Sequence, residues 1–461
     1  MPSIMKKEVV RVKNAWIENL KRKIKNKSAV VGIVGLGYVG LPLAVAFSKK
    51  FNVIGYDISF EKISLLRQRQ SYIEDVKDED IDLNKLYPTT NPESLKKCDF
   101  IIITVPTPLR EDKTPDLSYL KDSARTVGRI LRRGQFVILE STTYPGTTEE
   151  ILVPILEEES GLKVIEDFGV AYSPERIDPG NKRYKVENTP KVVGGLIPEF
   201  TEIASMLYGS IIEKIVTVRD CKTAEAVKIV ENVFRNVNIA LVNELALIFE
   251  KMGIEIWEVI EAAKTKPYGF MAFYPGPGVG GHCIPLDPYY LSYRAKQFGV
   301  IPRFIETAGE INDYMSLHVV NLVEKGLKKV GKKIRGANIG ILGLAYKGNI
   351  SDTRESPAIK IIEELIERGA AVRVHDPYAR SIKTRFGEFL SENINELLEW
   401  AEAIIIVTDH DFYKENLKNL LSNARYTGKV IVDTRNVLNP SYTEKLNIVY
   451  IKLGSSHKII E

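Results

Sequence analysis

Most of the reactive chemistry gathers in one stretch past the middle of the chain. Pro275-Gly-Pro-Gly-Val-Gly-Gly-His-Cys283-Ile-Pro-Leu-Asp287 sets a cysteine among four glycines, with His282 and Asp287 as polar neighbours. Glycines let a backbone turn sharply and let a ligand come close. A thiol on such a loop is accessible, and its thiolate attacks carbonyls. A lone cysteine is more often a small buried apolar residue. Cys98, ahead of a strand, and Cys221, at the start of a helix, take that plainer reading. The polar neighbours of Cys283 argue for reactivity.

A second constellation is Gly35-x-Gly37-x-x-Gly40, after the apolar run at 29–34 and before a helical stretch at 41–50. The next strand pattern ends on Asp57, 22 residues after Gly35. Strand, glycine turn, helix and acidic residue together make the dinucleotide fingerprint. The pyrophosphate would sit at the helix N-terminus. Asp57 would accept hydrogen bonds from the ribose and repel a 2′-phosphate, which favours NAD over NADP. The competing reading of the glycines alone is a tight turn without a cofactor. None of the 21 tyrosines has a lysine four positions later, so the Tyr-x-x-x-Lys pair of short-chain dehydrogenases and epimerases is missing.

The third constellation is Lys228, Asn232 and Arg235, spaced to share one helical face. A solvated charged face is the default for such a row. Apolar flanks (Val227, Ile229, Val230, Val233, Phe234, Val237) instead suggest a mostly buried helix. Buried cations need anionic partners, which a charged substrate would supply.

The elements that must position these groups follow from hydrophobic period. Strand candidates at 29–34, 52–57, 99–105, 135–139 and 169–172 alternate with helical stretches, which implies a parallel sheet covered on both faces. Asp220 is a plausible N-cap and Gly253 a plausible C′ residue, and between them lies a long run free of Pro and Gly. One helix of roughly 48 Å is expected there, linking domains and supporting a dimer. Strand patterns restart at 337–345 and recur at 371–375, 403–407 and 430–432. The expected fold is α/β, with two Rossmann-like parallel-sheet domains joined by a helical central domain containing one long helix. The expected boundaries are a basic helical leader at 1–27, a cofactor domain at 28–218, the helical domain at 219–332 and a second α/β domain at 333–461.

Composition narrows the class. The 461 residues are 44% hydrophobic and 27% charged, ordinary for a globular chain. No stretch suits a membrane span or a secretory signal. The net charge of +4 hides a leader carrying nine basic and two acidic residues, so the rest is slightly acidic. No nucleic-acid partner is suggested. The leader reads as an amphipathic helix packed on the body, with an anionic membrane surface or a partner as the sharper alternative. Three cysteines without a CxxC pair point to a reducing cytoplasm, and with only five histidines no metal site is expected.

The chain resembles the UDP-glucose / UDP-N-acetylhexosamine 6-dehydrogenase family. The matching residues are the glycines at 35–40, Val105-Pro-Thr-Pro108, Ser141-Thr142, Tyr172-Ser-Pro-Glu-Arg176, Lys228 with Asn232, Gly280-Gly-His-Cys283 with Asp287, and Gly343-Leu-Ala-Tyr-Lys-Gly-Asn-Ile-Ser-Asp-Thr-Arg-Glu-Ser-Pro357. Arg435 matches a further family position. The resemblance implies a UDP-sugar substrate, a homodimer or higher homo-oligomer, and oxidation of the sugar C6 alcohol to a carboxylate with two NAD⁺ reduced. Cys283 would capture the aldehyde as a thiohemiacetal, which becomes a thioester that water hydrolyses. Lys228 and Asn232 would stabilise the oxyanion, and Asp287 would position or deprotonate water. Glu175 and Thr142 would complete the proton network.

On the cofactor side the resemblance adds Tyr38, Val39, Lys62, Thr107, Thr142 and Arg354 to Gly35, Gly37, Gly40 and Asp57. On the substrate side it implies Glu175, Arg176, Lys228, Asn232, Arg235, Tyr274, Gly280, Tyr346, Lys347 and Arg435. One departure points within the family. Where the UDP-glucose branch reads Ser-Pro-Glu-Phe-Leu-x-Glu-Gly, this chain has Ser173-Pro-Glu-Arg-Ile-Asp-Pro-Gly180. Arg176, Pro179 and the segment Thr265-Lys-Pro-Tyr-Gly-Phe270 resemble the N-acetylhexosamine branch, which ranks UDP-N-acetylglucosamine first, UDP-N-acetylmannosamine second and UDP-glucose third as substrate. The other function classes are a two-electron hydroxyacid dehydrogenase, which needs no cysteine, and a non-catalytic nucleotide-sugar-binding protein.

Overall fold

The computed structural model describes residues 15–455 except 111, 179, 180, 182, 282, 283, 425, 440, 441 and 443–446. His282 and Cys283 therefore lie outside the described residues. The chain forms two compact units, residues 1–231 and 232–461.

In the first unit, eight strands form one sheet: β1 (Val30–Val34), β2 (Asn52–Tyr56), β3 (Leu86–Thr89), β4 (Phe100–Ile103), β5 (Phe136–Leu139), β6 (Gly169–Tyr172), β7 (Lys191–Gly195) and β8 (Ile215–Thr217). Their order is β3-β2-β1-β4-β5-β6-β7-β8. The first six run parallel; β7 is antiparallel to β6, and β8 parallel to β7. Runs such as Phe-Ile-Ile-Ile in β4 are buried on both faces, because helices cover both sides. One face carries α1 (Ala15–Lys25), α2 (Gly40–Ser48), α3 (Phe60–Arg67) and α6 (Pro198–Tyr208). The other carries α4 (Ser118–Ile130), α5 (Val153–Ser160) and the start of α7 (Cys221–Met252). The strand order reverses between β1 and β4, which opens a crevice at their C-terminal ends.

The long helix α7 has the expected limits. Asp220 Oδ1 accepts the Thr223 N–H at 2.8 Å, and Gly253 has φ +77°. It runs 32 residues, from the first unit into the second.

The second unit adds α8 (Ile256–Ala263), α9 (Asp287–Gln297) and α10 (Arg303–Lys329). A five-stranded parallel sheet follows, ordered β10 (Ala371–His375), β9 (Asn338–Leu342), β13 (Ala403–Ile406), β14 (Val430–Asp433), β15 (Val449–Lys452). The helices α10 and α11 (Pro357–Glu367) cover one face, and α12 (Ile394–Trp400) and α13 (Asp411–Asn423) the other. A small antiparallel hairpin, β11 (Ser381–Thr384) and β12 (Gly387–Leu390), forms a separate two-stranded sheet whose Ile382 is buried in the same core. No described helix is long and apolar enough to cross a membrane.

The described part of the leader is built into the first unit. Ile17, Leu20 and Ile24 of α1 are buried in its core. Trp16 packs on Phe200 with ring centroids 5.8 Å apart, and Lys21 pairs with Glu202 at 2.8 Å. The basic charges face outward from an apolar stripe, as the packed-helix reading expects. Leu20 is 1% exposed, so Leu20→Ala should destabilise the protein by about 2–5 kcal/mol. Chemical denaturation should show the loss in the transition of the first unit.

Candidate functional site

The crevice of the first unit is shaped by backbone contacts that only glycine permits. Gly35 has φ +92°, and a Cβ on Gly40 would lie 1.8 Å from the Gly35 carbonyl oxygen. A Cβ on Gly37 would meet nothing within 4 Å, so that side of the turn is open to a ligand. Thr104 Oγ1 donates to the Gly35 oxygen at 2.7 Å and fixes the turn on β4. Asp57 ends the β2 side. Its Oδ2 accepts the Leu36 N–H at 2.8 Å and lies 3.3 Å from Lys62 Nζ, and its Oδ1 accepts the Ser59 N–H at 2.9 Å. Tyr38 is exposed and Val39 half-buried at the mouth of α2. Thr107 Oγ1 donates to the Thr142 carbonyl at 2.7 Å, tying the loops after β4 and β5 together. Thr142 is half-buried, whereas Thr143 is buried and donates to Thr147.

Glu175 follows β6. Its Oε1 accepts the N–H groups of Arg176 and Ile177 at 2.6 and 2.5 Å, and its Oε2 lies 3.2 Å from Lys191 Nζ. Burial alone would raise its pKa. Lys191, the Ile177 N–H and Lys228 outweigh burial and hold the carboxyl below its ordinary value. Lys228 itself is buried on α7. Arg176 is engaged elsewhere: its guanidinium pairs with Glu231 at 2.7 Å and donates to the Pro190 carbonyl at 2.7 Å.

In the second unit, α7 holds the glycine-rich loop through amides. Asn232 Nδ2 donates to Asp287 Oδ2, and Asn236 Nδ2 donates to the Ile284 carbonyl at 2.9 Å. Asn243 accepts the Gly276 N–H at 2.9 Å and donates to Asn312 of α10 at 2.9 Å. Ser316 donates to the Pro277 carbonyl at 2.8 Å. The segments on both sides of Cys283 are thus fastened to two helices. Asn236, Asn243 and Asn312 were not singled out above. Their signal is present in the sequence: asparagine is a poor helix former that competes for backbone groups, and Asn232, Asn236 and Asn243 recur on one face of α7.

The same loop lies against the second sheet. A Cβ on Gly276 would come 2.6 Å from Arg435 Nη1, and one on Gly281 (φ +86°) 2.9 Å from the Tyr346 ring. Gly280 is as close, with a Cβ 2.7 Å from Tyr346 Cβ. Arg435 follows β14 and donates through Nε to the Val407 carbonyl at 3.0 Å. No described carboxylate forms an ion pair with it, and burial lowers its pKa against the pull of Asp409 and Asp433. Lys347 is half-buried in the loop after β9. Tyr274 stacks on Trp257 and donates to Glu261 at 2.7 Å. Arg354 grips Asp352 at 2.6 Å.

Two expectations change. The apolar flanks of α7 do not make it buried all round: Val230 and Phe234 are 60% and 48% exposed. Within the Lys228–Asn232–Arg235 row, Lys228 and Asn232 are buried and Arg235 is exposed. Cys98 and Cys221 are buried, as the plainer reading of them holds, and burial pushes the Cys98 thiol up to about 12.

Sequence profiles of one family cover the chain in three consecutive segments. Residues 29–212 match its NAD-binding domain, 222–314 its central domain and 340–440 its UDP-binding domain. The chain belongs to the UDP-glucose/GDP-mannose dehydrogenase family. A UDP-N-acetyl-D-glucosamine 6-dehydrogenase of Pseudomonas aeruginosa is 42% identical over 401 residues, covering 86% of this chain and 94% of that protein. A UDP-N-acetyl-D-mannosamine dehydrogenase of Pyrococcus horikoshii is 39% identical over 416 residues, 88% of this chain and 96% of that protein. A solved UDP-D-ManNAc dehydrogenase structure from Pyrococcus horikoshii superposes with a TM-score of 0.84 at 37% identity, covering 92% of this chain and 99% of that one.

This dehydrogenase is therefore an NAD-dependent oxidoreductase acting on a nucleotide sugar. The crevice fits the cofactor: the open face at Gly37 admits a pyrophosphate, and the Asp57 carboxylate closes the β2 side where a ribose would lie. Gly40→Ala should raise the Kd for NAD at least about tenfold, because the methyl group cannot coexist with the Gly35 oxygen. Calorimetric titration with NAD and with UDP checks it, and UDP affinity should be unchanged.

Proposed function

We propose that the enzyme oxidises C6 of UDP-N-acetylglucosamine to the uronate in two successive steps on one bound substrate. The fastening of the 275–287 loop to α7 by Asn232 and Asn236 carries this reading, since it fixes Ile284 and Asp287 in the same sequence segment as Cys283. NAD, when bound, accepts a hydride in each oxidation. Cys283 attacks the aldehyde, its sulfur bonding to C6 to form a thiohemiacetal. Oxidation of that adduct gives a thioester. Lys228 and Asn232 stabilise the oxyanion at these stages. Asp287, held by Asn232, receives the proton of the water that cleaves the thioester. Thr142 and Glu175 belong to the same proton network.

On the substrate, Arg435 and Lys347 meet the diphosphate, which gives Arg435 the close ion pair that no described carboxylate forms with it. Tyr346, Tyr274, Gly280 and Arg235 line the remaining contact, and Arg354, with Lys62 and Thr107, serves the cofactor. Arg176 acts indirectly, by fastening the Glu175 loop to Glu231. The N-acetyl preference is supported by the 42% identical glucosamine enzyme. UDP-N-acetylmannosamine is the second reading, favoured by the Pyrococcus relative. Free thiols at Cys98 and Cys221 support a reducing, cytoplasmic setting.

NADH formation, followed in parallel with UDP-N-acetylglucosamine, UDP-N-acetylmannosamine and UDP-glucose, should be fastest with the first and reach about two NADH per sugar. One NADH per sugar with free aldehyde would remove the thioester mechanism. Cys283→Ala should abolish uronate formation; normal turnover would favour a two-electron dehydrogenase.

We also propose a homodimer through α7. Phe234, Leu241 and Ile248 recur every seven residues, and with Val230 they leave an apolar stripe facing water. Leu241→Glu should shift the sedimentation coefficient toward that of a monomer without loss of helical content.

A further inference from the structure

Next to Glu175 lies a row of buried ionisable groups to which the reaction above assigns no role. Glu140 follows β5, Lys191 opens β7 and Tyr208 ends α6. Lys191 Nζ stands 3.0 Å from Glu140 Oε1 and 3.2 Å from Glu175 Oε2. Tyr208 donates its hydroxyl to the same Glu140 oxygen, and Lys191 Nζ lies 5.2 Å over its ring. Glu140 is 1% exposed, and its Oε2 is buried with no hydrogen-bond partner. Lys228, on α7, is a further positive charge that acts on Glu175.

Two buried carboxylates thus share one buried ammonium. A buried carboxylate oxygen without a donor is costly when charged and cheap when it carries a proton. We propose that Glu140 is a buried proton-holding residue that acts through Lys191 to position Glu175 and to set the charge Glu175 feels. With Glu140 protonated, Lys191 belongs to Glu175 alone and clamps it as an anion. When Glu140 loses its proton to solvent, Lys191 is shared and a second negative charge stands behind Glu175, which becomes a stronger base. Glu140 is a positioning residue, not a catalytic one. The inference rests on the part given to Glu175 in the proton network.

The electrostatics agree with the geometry. Burial, with the Glu175 charge adding to it, pushes Glu140 up to about 7, against Lys191 and the Tyr208 hydroxyl. Burial would lower Lys191, but Glu140 and Glu175 outweigh it and keep the ammonium charged. Glu140 therefore changes charge near pH 7, while its neighbours hold Glu175 toward the anion and Lys191 toward the cation.

The test is the pH dependence of kcat for the full-length enzyme and for Glu140→Gln. Glutamine keeps an oxygen for Tyr208 and Lys191 and mimics the protonated acid. The wild type should show a rise in kcat with an inflection near 7. Glu140→Gln should match it at about pH 6, lack the inflection, and fall about tenfold below it by about pH 8, the effect of one unit in the basicity of Glu175. Tyr208→Phe removes a donor that favours ionised Glu140, so its inflection should move to higher pH; this variant decides the matter if Glu140→Gln does not fold. A retained inflection in Glu140→Gln, a uniform loss at every pH, or an unmoved inflection in Tyr208→Phe overturns the proposal. Glu175→Gln separates the two readings. If it turns over normally, the part given to Glu175 fails and this inference falls with it. If it is impaired while Glu140→Gln keeps the inflection, only the part given to Glu140 fails.

Discussion

Hydrogen bonds from amides buried along α7 hold the loop on which the proposed chemistry depends. That loop is rich in glycine and proline and has little apolar surface of its own to bury, so its conformation must be imposed from outside. Asn232, Asn236 and Asn243 do this by meeting its carboxylate, carbonyl and N–H groups in turn. Each bond contributes only about 1 kcal/mol net, but leaving one such buried group unpaired costs more. The loop is therefore fixed less by attraction than by the penalty for any arrangement that orphans these groups. The glycines at 276 and 281 then let Arg435 and Tyr346 lie directly against its backbone.

The two sheets solve the same local problem in the same way and then diverge. In each, an aspartate after the second strand accepts an N–H from the turn after the first: Asp57 from Leu36, and Asp376 from Leu344. Asp57 has its remaining capacity toward Lys62 at the crevice edge. Asp376 is covered by His410, which is buried and bonded to it at 3.0 Å. One carboxylate stays at the crevice edge beside Lys62, and the other is sealed into the core by His410. The second unit instead carries cations, Lys347 and Arg435, in the loops after β9 and β14, within the segment that matches a UDP-binding domain.

Much of this was legible in the sequence because the physics is local. Apolar runs such as those at 100–103 and 403–406 must be buried strands, and the interval between Asp220 and Gly253 must be helix. The strands missed were short or marginal. Lys191 opens β7 and would not be expected inside a sheet; it is there because two carboxylates meet it. The strand β8 is largely exposed, and β11 and β12 pair only with each other. Exposure of Val230 and Phe234 could not be read from hydrophobic residues alone, since a stripe that faces another surface looks like a stripe that faces a core. The grip of Arg176 on Glu231 was hidden for a different reason: 55 residues separate them, and spacing says nothing about which anion a cation will find.

The helix α1 closes the core of the first unit against α6, and the pair Lys21–Glu202 spans 181 positions. A growing chain emerges from the ribosome at about 5–20 residues per second. The apolar stripe of Ile17, Leu20 and Ile24 thus waits on the order of ten seconds or more before the surface that covers it exists. The cationic face of that helix keeps it soluble through this interval, and the contact it finally makes marks completion of the domain.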